Sequence, residues 1–426
     1  MRTAERGVVV GIVVAVALAL RLGFAVAGTV LHPLRADAGQ YAQYAKNLCE
    51  HGVFSLATEA PPAPDSFRSP GYPFVLALCR WLGGEAGWQS LAIGLQVAFG
   101  TLTVLLVYRL ARQFLGFGPS LLAAAASAAS PHLVVSSAFV LTECTSTFLV
   151  TLGLWLVFGA GRASRRHLGA LCLGFAVLCN ETLVVLPLAV AWASWRHDRR
   201  AAMALLLVAL APFAAWTVRN QSSTLARHGS ERVIASISHG SYPGMVFRDP
   251  RWFGYPYRED PAQPAFGSSW QELGRVLGER AAAAPLRYAA WYLLQKPVWL
   301  WSWPLVQGQD VVVYEVANSP YERQAVMAAS HTLMRLLHAP LMGIAALCAV
   351  VVLWRRRRVA WQVQAIAACV VGGTLAYLPV IPDPRYLQPV RPLLFVLAAM
   401  GLAVAAAFAT RRLRARAAAA DPQPEG

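Results

Sequence analysis

RASRRHLGALCLGFAVLCNETLVVLPLAVAWASWRHDRR, residues 162–200, decides the topology of this chain. Read as one apolar span over 168–195, it would place the basic clusters at 162–167 and 196–200 on opposite sides of a membrane. Read as two short spans turning at Asn180-Glu181, it keeps both clusters on one side. Three further arginine-rich clusters, at 109–112, 355–358 and 411–416, also close or open long apolar runs. Short loops rich in Lys and Arg stay cytoplasmic, so the two-span reading, which puts all five clusters on one face, is the consistent one.

Composition supports a membrane protein. Hydrophobic residues make up 57% of 426 positions and charged residues only 14%, too little charge for the surface of a soluble chain of this length. The formal net charge of +16 would point to nucleic acid in a soluble protein. Here the excess lies in the clusters and at the termini, where anionic head groups of the lipid bilayer are the natural partner and nucleic acid is not. Six of the seven cysteines fall within or beside apolar segments, and only Cys49 sits clearly in a loop. Their spacing argues neither for a disulfide framework nor for a zinc site.

Tracking apolar runs against charge predicts an all-α, polytopic transmembrane bundle of about ten spans. The first, 8–31, is expected to be retained rather than cleaved as a leader, because a second apolar stretch follows Arg21. That arginine then lies near the middle of the bilayer, either snorkelling or turned into a polar cavity. An outer loop, 32–87, contains a short apolar helix at 71–82 that cannot cross. Spans at 88–110, 118–138 and 142–160, the pair within 168–195, and one at 201–218 complete an N-terminal module, 1–218. A large, α-rich outer region follows at 219–329. In it Ser269 and Glu272 form a capping box, and 288–303, rich in Trp and broken at Lys296-Pro297, forms an interfacial helix. Spans at 331–354, 359–380 and 386–410 make the C-terminal part (330–410), ahead of a disordered cytoplasmic tail at 411–426. Both termini are then cytoplasmic and the membrane is the inner, plasma membrane.

This topology gathers ionisable residues on the outer face: Asp37, Arg68, Glu143, Glu181, Arg219, Asp383 and Arg385. Charges collected at one end of a helical bundle mark a reaction site. Asp37 with Gln40 also fits an N-cap pair opening a helix, whose Tyr41 and Tyr44 share a face with Leu48. Arg68-Ser69-Pro70-Gly71-Tyr72-Pro73 fixes a tight turn beside an arginine at the membrane surface. Glu143 sits in the first turn of its helix, where the macrodipole favours an acid.

An Asp soon after the first span with Tyr in the next helix, then Arg-x-Pro-Gly-Tyr-Pro, resembles the GT-C membrane glycosyltransferases. The nearest branch contains the protein O-mannosyltransferases and lipid A aminoarabinose transferases. Later landmarks agree: Pro131 with Thr142-Glu143, Pro212 with Trp216, Arg219 and Asn220, and Pro384-Arg385-Tyr386 with Pro389 and Pro392. Two positions depart from the pattern: Asn180-Glu181-Thr182 stands where a basic residue and Pro-Glu are usual, and His239-Gly240-Ser241-Tyr242 replaces a Gly-Asn pair.

The resemblance implies transfer of a sugar from a polyprenyl-phosphate donor to a glycan, lipid or protein acceptor on the outer face, with inversion. Displacement at the anomeric carbon needs a carboxylate to take the acceptor proton, the role expected of Asp37, with Glu143 lining the site. A phosphate leaving group needs cations rather than an acid, and the forked guanidinium suits it. Arg385, Arg68 and, third, Arg219 are the candidates. Tyr41, Tyr72, Glu181, Tyr386 and His239 are expected to line the pocket. No cofactor and no obligatory metal are expected, since no spacing of His, Asp and Glu argues for a tight metal site. The competing readings are a transporter or lipid flippase, which the lack of an inverted repeat disfavours, and a lipid-linked glycan ligase or polymerase.

Overall fold

The computed structural model describes residues 3–159, 163–221, 223–245 and 255–420. Helix α1 (Thr3–Ala27) leads to α2 (Asp37–His51), α3 (Gly71–Ala111), α4 (Phe117–Ala129), α5 (Pro131–Val135) and α6 (Thr142–Phe158). Then come α7 (Ala163–Cys179), a 3-10 turn at Glu181–Val184, α8 (Val185–Ser194), α9 (Arg199–Arg219) and α10 (Ser223–Gly240). After α11 (Trp270–Ala283), the bundle closes with α12 (Ala325–Trp354), α13 (Trp361–Ala376) and α14 (Arg391–Ala420). Among the described residues five helices are long and apolar enough to cross a membrane, and four apolar helices of 10–17 residues accompany them. The chain is a multi-pass membrane protein.

The decisive stretch does break where the charge pattern requires. α7 stops at Cys179, and Asn180 caps the following turn, its side-chain oxygen accepting from the Thr182 backbone N–H at 3.1 Å. α7 packs on α6 and α9, and α8 on α13. Residue 162 of the preceding basic cluster lies outside the described residues.

α3 contains both the short helix and the following span, separated at Gly84, whose φ of +63° is costly for any residue with a Cβ. At its other end Gly71 is pressed against α7: a Cβ there would come within 2.7 Å of the Cys179 backbone nitrogen. The loop that delivers Arg68 is thereby anchored to the bundle. A two-stranded antiparallel pairing, Thr29–Val30 with Val316–Ala317, ties the exit of α1 to the large loop.

Arg21 does not snorkel but turns inward. It is 1% exposed and donates to the Ser127 and Ala128 carbonyls at 3.2 and 3.3 Å. Pro131 ends α4 there, and carbonyls at a helix C-terminus attract a cation. The expected break at Lys296-Pro297 is also absent. The chain stays helical over 285–300 because a π turn at Trp291–Gln295 precedes a new helical start in which Pro297 occupies the first turn, where its missing N–H costs nothing. Of the expected capping box the Ser269 half forms, its Oγ accepting from the Glu272 backbone N–H at 3.4 Å, while Glu272 Oε2 accepts from Arg275 at 2.7 Å. The tail does not begin at 411, since α14 runs on to Ala420 through an Ala/Arg-rich sequence of high helix propensity; residues 421–426 lie outside the described residues.

Candidate active site

Asp37 is the first residue of α2, but it does not cap it. Ala36 holds the N-cap position with no side-chain hydrogen bond. Both Asp37 oxygens are free for other partners, and two arginines take them. Arg68 Nη2 donates to Oδ1 at 2.6 Å, and Arg385 Nη2 donates to Oδ2 at 3.1 Å, across 348 residues of sequence. Gln40, expected to share the cap, instead accepts from Arg68 Nε at 2.7 Å.

Arg385 also lies 3.3 Å, through Nε, from Glu143 Oε1. The 3-10 helix Pro384–Val390 packs on α6 and so brings the two together. Its start is fixed by Asp383, whose Oδ1 accepts from the Arg385 backbone N–H at 3.0 Å while Oδ2 accepts from that of Gln307 at 2.9 Å. Asp383 is therefore a brace between two loops rather than a simple counter-charge. Glu143 Oε2 is buried and has no hydrogen-bond partner among the described residues.

Exposure grades across the cluster. The side chains of Arg385 and Glu143 are 7% and 10% accessible, Arg68 16% and Asp37 27%. Asp37 is thus the group an incoming molecule reaches first. Burial pushes its carboxyl up, but attraction to Arg385 and Arg68 outweighs this and holds it below the usual carboxylate value.

Three tyrosines complete the cluster. The Arg68 guanidinium lies 5.4 Å from the Tyr41 ring centre. Tyr41 meets Tyr72 edge-on at 5.4 Å, and Tyr72 donates to Gln96 Oε1 at 3.0 Å. Arg385 lies 5.2 Å from the Tyr386 ring. That ring stacks on Tyr377, which accepts from the Asn180 amide at 2.8 Å.

The other expected residues have different partners. Glu181 pairs with Arg232. His239 stacks on Tyr257 at 3.8 Å, and burial pushes its imidazole down to about 4. Arg219 donates to the backbone carbonyls of Asp65 and Phe54, at 2.5 and 3.5 Å, over the Trp216 ring.

Sequence reading missed Asp65 altogether. Its carboxylate accepts from Tyr44 Oη and from the backbone N–H groups of Leu56 (2.6 Å) and Phe67 (3.0 Å), fixing the loop just before Arg68. Nothing in Pro64-Asp65-Ser66 sets this acid apart from an ordinary turn residue. No group of three or more His, Cys, Asp or Glu suited to a metal ion occurs among the described residues.

Residues 67–221 match the family described as dolichyl-phosphate-mannose-protein mannosyltransferase. No curated protein matches the chain. Among solved structures, the archaeal oligosaccharyltransferase AglB from Archaeoglobus fulgidus, in complex with an inhibitory peptide and a dolichol-phosphate, is similar over 99% of this chain and 52% of its own. The TM-score is 0.53 at 13% identity. The apo form of the Archaeoglobus fulgidus oligosaccharyltransferase gives 0.51 at 14% identity, over 95% and 51%. ArnT from Cupriavidus metallidurans in the apo state gives 0.45 at 15%, over 94% and 60%. The chain spans about half the length of the oligosaccharyltransferase whose fold it shares.

Proposed function

We propose, from the match of residues 67–221 to the mannosyltransferase family and the fold shared with the archaeal oligosaccharyltransferase, that the chain is a membrane glycosyltransferase of the GT-C superfamily and moves a sugar from a polyprenyl-phosphate carrier to an acceptor hydroxyl or amine. The reaction lies on the outer face of the inner membrane, with both chain termini in the cytoplasm. The observation that carries the reading is Asp37 held between Arg68 and Arg385, with Glu143 on the far side of Arg385.

Each group has a task. The acceptor hydroxyl attacks the anomeric carbon from the face opposite the phosphate, its proton passes to the Asp37 carboxylate, and the sugar–phosphate C–O bond breaks with its electron pair on the lipid phosphate. Configuration inverts. Arg68 and Arg385 bind that phosphate and stabilise the charge it gains. Glu143 orients Arg385 and offers its unpartnered Oε2 to an acceptor hydroxyl. Two guanidinium groups would meet the leaving phosphate, and its neutralisation is assigned to them rather than to an obligatory metal.

The resting ion pairs carry a consequence. Asp37, with its carboxyl held low, is a weak base while both arginines engage it. A donor phosphate competes for the same guanidinium forks. As they turn to it, Asp37 loses its counter-charges and burial raises its proton affinity. Donor binding thus switches on the base.

Arg219 acts at a distance, as a positioning residue for the loop that presents Arg68. The large region 219–329, which carries His239, holds the acceptor. The test is transfer of labelled sugar from synthetic polyprenyl-phosphate donors by the purified protein in liposomes. A folded Asp37→Asn protein that transfers at the wild-type rate defeats the proposal.

A further inference from the structure

At the end of the bundle opposite Asp37, three cavities of about 950, 570 and 520 Å³ meet around Gln362, which lines all of them. The largest is walled by Arg196, Arg356 and Arg357 at one end and by Leu188 and Trp192 at the other. We infer that this basin is a binding site for a glycerophospholipid with an anionic phosphate head group, independent of the transfer site.

The basin has head-group chemistry and acyl-chain chemistry in one cavity. Arg356 and Arg357 lie in the turn between α12 and α13, and Gln364 shapes it by donating to the Arg356 and Val359 carbonyls at 2.7 and 2.6 Å. Arg196 faces them from the end of α8. None of the three forms an ion pair with an acid among the described residues. The only acid on the walls among the described residues, Asp198 in the 520 Å³ cavity, is committed to capping α9 through the Ala201 N–H at 3.0 Å. Guanidinium forks left without a carboxylate suit phosphate oxygens.

From Arg196 the wall continues into the bilayer. Leu188 and Trp192 recur at a spacing of four on one face of α8, and Trp195 and Arg196 follow in the turn at its C-terminus. Trp192 and Trp195 are 46% and 40% exposed, and indole rings favour the interface between head groups and chains. Arg356 stands 5.7 Å from the Trp192 ring centre, at the junction of the polar and apolar parts. Free phosphate would use only the arginine end, whereas a phospholipid fills both. Basic pockets between transmembrane helices are where such head groups dock.

The test uses the full-length protein in neutral detergent, titrated with phosphatidylglycerol, phosphatidylcholine or inorganic phosphate. Melting temperature and native mass spectrometry are the readouts. Phosphatidylglycerol should raise the melting temperature and stay bound as a discrete adduct. Arg356→Gln with Arg357→Gln should weaken this at least tenfold, and Arg411→Gln with Arg412→Gln, in the equally basic end of α14, should leave it within twofold. Should the first pair destabilise the lipid-free protein, Trp192→Ala tests the apolar wall instead, and should weaken phosphatidylglycerol severalfold. Equal binding of phosphatidylcholine, the full shift from phosphate alone, or equal losses in both arginine pairs would each overturn the site.

Discussion

Replacing Asp37 by Asn changes one atom and one charge, and three quantities should move in different directions. General-base catalysis contributes about 10²–10⁴ in rate. The turnover rate of Asp37→Asn should therefore fall at least roughly a hundredfold, about 2.7 kcal/mol of transition-state stabilisation. Stability should fall as well, because Arg68 and Arg385 lose a partly buried counter-ion. Breaking such a pair costs about 3–5 kcal/mol when nothing else compensates. Here Gln40 still meets Arg68 at 2.7 Å and Glu143 still lies 3.3 Å from Arg385, so the lower end, about 3 kcal/mol, is the expected loss. Donor affinity should move the other way. Asp37 competes with the phosphate for the same two forks, and charge pairs at these separations interact by about 1–4 kcal/mol. Its removal should tighten binding of polyprenyl phosphate about tenfold. The assays are single-turnover transfer, thermal unfolding in detergent, and binding of the free lipid phosphate. If donor affinity drops in step with turnover, Asp37 is a binding or structural residue and the switching argument fails.

The same coupling predicts two different pH profiles. In the free enzyme Asp37 is charged above a lowered pKa, so kcat/KM should stay flat as pH falls to the ordinary aspartate value of about 3.9. In the donor complex the arginines are engaged elsewhere, so the acid limb of kcat should lie at higher pH; coincident limbs would argue against donor-triggered activation. Arg219→Gln should lower stability and raise the KM for donor with less than tenfold loss of kcat, and a hundredfold loss of kcat would return it to the phosphate site. Exposed Cys49, in the last turn of α2, the helix that Asp37 opens, should react with an impermeant maleimide in intact cells. Labelling only after lysis would reverse the orientation. Saturating EDTA should leave transfer unchanged, and a loss restored by one divalent ion would show that the two guanidinium groups do not suffice.

What the sequence disclosed follows from what hydropathy and charge encode. They record which end of each helix meets which side, so the break at Asn180, the short helix before Gly84 and the one-sided acids and arginines were all legible. They do not record partners. Asp37 looked like a helix cap because Gln40 stands three residues on, and only the return of the 3-10 helix at Pro384–Val390 shows what its oxygens hold. Glu181 and Arg219 shared the right end of the bundle with Asp37, yet their nearest opposite groups are Arg232 and backbone carbonyls. Sidedness bounds a site to one end of a bundle and leaves its membership open.

The pairing itself explains why the cluster draws on distant parts of the chain. A lone Asp on α2 would be charged but aimless, and lone arginines at Arg68 and Arg385 would be costly to bury. Together they neutralise one another, and each is fixed from behind by a different element: Gln40 and Tyr41 beside Arg68, Glu143 and Asp383 beside Arg385. On the proposed reading the resting cluster would be stable and inactive for the same reason, since the charges assigned to a phosphate and a proton are paired with each other. On that reading a lipid phosphate would compete with Asp37 for both arginines, so the base would be freed on donor binding and water would meet a weak base in the empty site.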